Sequence, residues 1–129
     1  MTLLRPITDA DHDYVLDIGG ERAGFVFTFA PDAGYDSTNF AWFGDRFGAE
    51  FYYLDRVVVD DAFRRRGLGA AAYDELERAA APYRRMVLEV NVEPPNEPSL
   101  AFHRARGYVD VGTRGDPGHR VAMLSRELA

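Results

Sequence analysis

Tyr53-Leu54-Asp55-Arg56-Val57-Val58-Val59, followed a few residues later by Arg64-Arg65-Arg66-Gly67-Leu68-Gly69-Ala70, is the stretch on which the fold turns. Its first half belongs to an aromatic and β-branched run from Phe51 to Val59 that ends in Asp60-Asp61, and it reads as a central strand. Its second half opens a helix: Leu68, Ala72, Leu76 and Ala79 mark one face, Asp74 stands four residues before Arg78, and Pro82 stops it. A helix start has unpaired N–H groups and a partial positive charge, and glycines there let an anion reach the backbone without meeting a β-carbon. With the cations of Arg64, Arg65 and Arg66 beside it, this strand, turn and helix suit a phosphate ester. No third glycine follows at the dinucleotide spacing and there is no Gly-Lys-Ser/Thr, so neither a Rossmann site nor a P-loop fits.

Working outward, Met86 to Val92 reads as the next strand, and Pro94-Pro95-Asn96-Glu97-Pro98 breaks the chain before a short helix over Ser99 to Arg106 that Gly107 stops. Tyr108 to Thr113 and Val121 to Arg126 read as two strands joined by a turn at Gly115-Asp116-Pro117-Gly118. Towards the N-terminus, Thr2 to Arg5 forms a first strand ended by Pro6, and Tyr14 to Ile18, a turn at Gly19-Gly20-Glu21-Arg22 and Ala23 to Phe29 form a hairpin. The competing pattern is a helix over Asp9 to Ile18 capped by Thr8, with Ala10, Tyr14 and Ile18 four apart. Pro31 to Ser37 reads as a loop and Asn39 to Phe47 as one or two helical turns.

Composition narrows the chemistry. The 129 residues suit one domain, and the 47% hydrophobic content supports a core. A net charge of −6 disfavours a nucleic-acid surface and favours a neutral or cationic partner. All 15 basic residues are arginine, which removes lysine Schiff bases, and the absence of cysteine removes thiol nucleophiles and disulfides. His12, His103 and His119 show no ligand spacing, so no metal is expected. With no apolar run approaching membrane-spanning length and no leader-like start, a soluble cytoplasmic protein is expected.

Arg64, Gly67 and Gly69 fill motif A of the GNAT acetyltransferases, written Gln or Arg, two residues, Gly, one residue, Gly or Ala. Asn96, Ser99, His103, Gly107 and Tyr108 are similar to that family's motif B at the expected offsets. The resemblance runs over roughly residues 14–128. It implies an α/β fold with a mixed, mostly antiparallel sheet splayed between its fourth and fifth strands, here Tyr53–Val59 and Met86–Val92. It also implies acetyl-CoA as cosubstrate, a small-molecule or peptide amine as acceptor, and direct attack on the thioester. A non-catalytic acyl-CoA-binding module carries the same motifs. The cofactor-side residues it implies are Val57, Val58 and Val59, Arg64 to Ala70, Asn96, Ser99 and His103, with the Val58 main-chain N–H as oxyanion donor.

Presenting an alkyl ammonium as free amine at neutral pH costs about 4.6 kcal/mol, so a base or a water relay is needed. Asp55 is one candidate, weighed against an Asp55–Arg56 surface or intersubunit ion pair, and Glu89 on the next strand is the other, weighed against an ordinary edge contact. Tyr35, Asn39, Trp42 and Phe43 are acceptor-side candidates, against the alternative that such aromatics are core. Two features depart from the family. The helices expected between the first strand and the hairpin are missing, which leaves the acceptor side open or completed by a second subunit. The tyrosine that usually protonates the leaving thiolate is replaced by His103, whose imidazolium is a candidate for that acid, directly or through water, from a helix face shared with Ser99 and Arg106, weighed against a packing or solvated histidine.

Overall fold

A computed structural model describes residues 4–6, 13–18, 20–60 and 67–128 of the chain. The described residues form a seven-stranded sheet in the order β1-β2-β3-β4-β5-β7-β6, built from Leu4–Pro6, Asp13–Ile18, Glu21–Phe29, Tyr52–Val59, Arg85–Glu93, His119–Glu127 and, at the far edge, Val109–Asp116. Three α-helices accompany it: α1 (Thr38–Phe47), α2 (Leu68–Ala80) and α3 (Glu97–Ala105). The expected hairpin is present, since β2 pairs antiparallel with β3 and the Gly20 N–H donates to the Asp17 carboxylate across the turn. The helical alternative is therefore overturned for Asp13–Ile18, while its start and His12 lie outside the described residues. β1 extends through Pro6, which pairs with Tyr14 on an edge strand, where a missing N–H costs no ladder bond.

Only β4 and β5 are parallel; every other pair is antiparallel. Their pairing is confined to Tyr52 with Met86 and Tyr53 with Val87, after which the strands part. On its other edge β4 carries a bulge: Phe27 faces Arg56 while Thr28 faces Leu54, so Asp55 is an extra residue. The bulge resets the alternation of side chains. Tyr52 and Leu54 before it, and Val57 and Val59 after it, all join the core on the α2/α3 face.

That core packs Ala72, Leu76 and Ala80 of α2 and Leu100 of α3 on Leu16, Val26, Met86, Leu88 and Leu124 of the sheet. The opposite face is covered by α1, whose Phe40 and Phe43 pack on Phe51, Tyr53, Val87 and Met123. Both faces of β4 and β5 are thus buried, which accounts for their nearly continuous apolar runs. α1 is longer than the turn or two expected, because the Ser37 hydroxyl caps the Phe40 N–H at one end and Gly48, at φ 64°, closes the other.

α2 ends at Ala80 and tightens into a 3₁₀ turn over Ala81–Tyr83 that accommodates Pro82. Glu77 pins the helix in place. Its buried carboxylate accepts from Arg106 at 3.0 and 2.8 Å, from Arg126 at 2.9 Å and from the Tyr108 hydroxyl at 2.8 Å. A buried carboxylate with this many charge-assisted donors fixes α2 relative to α3 and β7.

Candidate active site

Where β4 and β5 part, a cavity of about 170 Å³ opens between them, walled by Leu54 to Val57, Leu88 to Val90, and Tyr73, Ser99 and His103 from the two helices. Strand edges that separate leave main-chain donors and acceptors without a ladder partner, so the gap suits a ligand that supplies its own amide groups.

On the α1 side two carboxylates meet. The Tyr53 hydroxyl donates to both oxygens of Glu89, at 2.7 and 2.8 Å, and lies 3.5 Å from Asp55. Asn39 of α1 also bonds Glu89, and Tyr35 bonds Asp55. Burial pushes the Glu89 carboxyl above its ordinary range; the Tyr53 and Asn39 bonds pull it back, and the nearby Asp55 charge raises it again. Among the described residues neither Asp55 nor Glu89 makes an ion pair, so no Asp55–Arg56 bridge forms within the chain.

The β3–β4 ladder corrects the expectation for Val58. The Asp60 N–H donates to the Ala23 carbonyl at 2.7 Å, so two residues back Val58 turns its own N–H and C=O toward β3 as well. A β-carbon built on Gly24 collides with the Val58 carbonyl, which agrees. Val57, one residue away, presents its backbone to the opposite edge, and it lines the cavity whereas Val58 does not. Val59 packs against the α2/α3 core.

His103 does line the cavity. It is buried, at 5% exposure, and its Nδ1 lies 2.7 Å from the Ser99 carbonyl, which only an N–H can satisfy. Nε2 is then the acceptor, and the Tyr73 hydroxyl donates to it at 2.7 Å. Burial drives the His103 pKa below its ordinary value, which disfavours the positively charged acid considered from the sequence. Arg106, expected on the same face, instead turns away to Glu77 and Asp74.

α2 begins at Gly67, in the left-handed conformation at φ 72°, with no side-chain cap. A β-carbon on Gly67 or Gly69 meets no described atom within 4 Å, so among the described residues packing requires neither glycine. This fits a phosphate-bearing ligand. Arg64, Arg65 and Arg66 lie outside the described residues. Asn96 is the cap of α3, accepting from the Ser99 N–H at 3.3 Å, and it is not part of the cavity wall.

Of the four acceptor-side candidates, Tyr35 and Asn39 reach the carboxylates. Phe43 is fully buried core, and Trp42 lies against β6, with the Arg46 guanidinium 5.6 Å from its ring centre. Tyr53 and Tyr73 were not singled out from the sequence. For Tyr53 a signal existed, because residues two apart share a strand face and Asp55 was already a candidate.

Residues 3–108 match the family described as acetyltransferase (GNAT) family. Among solved structures, the chain is similar to the ribosomal-protein-S18-alanine N-acetyltransferase from Escherichia coli: 17% identity, TM-score 0.66, over 95% of this chain and 70% of that one. An N-acetyltransferase from Staphylococcus aureus Mu50 aligns at 15% identity and TM-score 0.67, over 89% and 69%. An acetyltransferase from Thermus thermophilus aligns at 22% and 0.63, over 94% and 67%. At such identities these likenesses establish the fold. No curated protein matches the sequence.

Proposed function

The chain belongs to the GNAT acetyltransferase family, and on that premise we propose that it is an enzyme moving the acetyl group of acetyl-CoA onto a primary amine by direct attack on the thioester. The observation that carries this reading is Glu89: a carboxylate raised by burial, without a cationic partner among the described residues, on the wall of the cavity between the splayed strands. A base whose pKa is drawn toward neutrality takes a proton from an ammonium at a smaller free-energy gap than an ordinary carboxylate does. Tyr53 and Asn39 hold its oxygens in place.

Gly67, Leu68, Gly69 and Ala70, with Arg64 to Arg66, are the residues that would hold the pyrophosphate, and the open edges of β4 and β5 the pantetheine. Acetyl-CoA supplies the activated acyl carbon and a thiolate leaving group. The Val57 N–H, directed at the gap, is the donor suited to a carbonyl oxygen gaining charge. Across the cavity His103 acts as a positioning residue: its neutral Nε2 fixes the Tyr73 phenol, which with the Ser99 hydroxyl provides the O–H groups of that wall.

An amine-panel assay of thiol release tests the reading. Release that depends on both acetyl-CoA and an amine supports it; tight acetyl-CoA binding with no release from any amine assigns the chain to silent acyl-CoA binders instead.

A further inference from the structure

The geometry points to one class of acceptor: a primary ammonium on an apolar stem, with no carboxylate on the carbon that bears the nitrogen. This inference rests on the acetyl-transfer reading and narrows it.

The argument starts from the two carboxylates. A single phenol oxygen, that of Tyr53, lies within 3.5 Å of both Asp55 and Glu89, so the two charges occupy one small region. Among the described residues the groups that hydrogen-bond them are hydroxyls and an amide: Tyr53 on β4, Tyr35 on the loop before α1, and Asn39 on α1. Arg56 is exposed and pairs with neither carboxylate.

The surroundings are aromatic. The Tyr35 ring stacks on Phe29 at 3.8 Å and 7° between planes, with Phe40 5.8 Å from Tyr35 and from Tyr53. Two carboxylates without an ion-pair partner among the described residues, beside such a wall, attract a cation with a hydrocarbon stem. They equally repel a second anion. An α-amino acid brings its carboxylate within two bonds of the nitrogen, into the field of both side chains, and among the described residues no arginine pairs with either of them; Arg56, whose charge reaches Tyr35, is exposed. Charge repulsion at such a distance and partial burial amounts to roughly tenfold to hundredfold per pair.

Alkylamines and the side-chain ammonium of lysine share this chemistry. The test compares four acceptors with the intact protein and saturating acetyl-CoA: n-pentylamine; norleucine, which is the same amine with a carboxylate on its first carbon; norleucinamide, which keeps the shape without the charge; and Nα-acetyl-lysine amide. We expect kcat/KM for norleucine to fall at least tenfold below that for norleucinamide, and that ratio to shrink several-fold in Asp55→Asn. Preference for n-pentylamine over the lysine derivative, or the reverse, identifies the source, and either supports the class. Norleucine turned over as well as its amide, or a ratio unchanged in Asp55→Asn, overturns the inference while leaving acetyl transfer standing. No turnover with any of the four, together with none in the wider panel, removes the enzyme reading itself.

Discussion

The six-membered edge of Trp42 occupies the place where a β-carbon on residue 112 would stand: one built on Gly112 comes within 2.6 Å of that ring. Gly112 lies just past a bulge in β6, so α1 docks by seating its indole on bare backbone. The same helix carries Asn39 to Glu89. Docking at the edge of the sheet and orientation of the proposed base are therefore linked through one ten-residue helix.

Gly112→Leu should expel the ring. Overpacking of this kind costs about 1–3 kcal/mol. Trp42 is the only tryptophan, so its emission reports the displacement directly. The expected outcome is a red-shifted spectrum, a lower Tm and a raised KM for the amine, with acetyl-CoA affinity unchanged. An unshifted spectrum in the folded variant would contradict the packing.

Gly69→Val is expected to weaken acetyl-CoA binding at least tenfold in calorimetry with little change in Tm, since its β-carbon enters open space at the helix start. Gly67 is a poorer probe. Its φ of 72° penalises valine whether or not a ligand binds there. Full affinity in folded Gly69→Val would move the phosphate site elsewhere.

Glu89→Gln should lower turnover by roughly 10²-fold or more and abolish the acid limb of the kcat profile, a limb expected above the ordinary carboxylate range because the folded-state pKa is raised. Linkage gives a second readout. A carboxyl raised by folding favours the folded state when protonated, and that advantage disappears as pH climbs through its folded pKa. At neutral pH the glutamine variant should therefore be at least as stable as the parent. A variant that loses both stability and activity would make Glu89 a structural residue.

His103 shifts the other way. Its pKa is lowered by burial, so the unfolded chain takes up a proton at the ordinary value of 6.5 while the folded ring still resists. Stability present above about 6.5 is lost as pH falls below it. Denaturant titrations across this window should show a slope that flattens in His103→Gln. Because Tyr73 and His103 share one hydrogen bond, Tyr73→Phe and His103→Phe should reduce turnover non-additively in a double-mutant cycle. Strict additivity would separate their roles.

The strands along the chain, the hairpin, α2 and the glycine-bearing helix start were legible because each rests on local pattern: alternation, helical spacing, turn residues. The features that aim side chains were not. The bulge at Asp55 depends on how β3 and β4 are matched, and nothing in the residue types marks it. Val58 was expected as oxyanion donor because the family resemblance implies a main-chain N–H on this strand, but which edge a peptide faces is set by the ladder that Asp60 joins. His103 was read correctly as facing the cleft. Its charge state depends on burial and on a carbonyl one helical turn back, neither of which the residue types mark. Phe43 and Trp42 carried the same aromatic signal as Tyr35, and only packing separates them.

Two residue pairs, Tyr52 with Met86 and Tyr53 with Val87, stitch the halves of the sheet together, so the protein is built like a book bound along a short spine. A pantetheine chain lying between the leaves would act as a removable eighth strand, and folding and occupancy would then be one equilibrium. At a hundredfold excess over Kd a ligand adds about 2.7 kcal/mol to the folded state. A cell rich in acetyl thioester would thereby lengthen the life of the protein that spends it, and a starved cell would leave the open, half-stitched form exposed to its proteases.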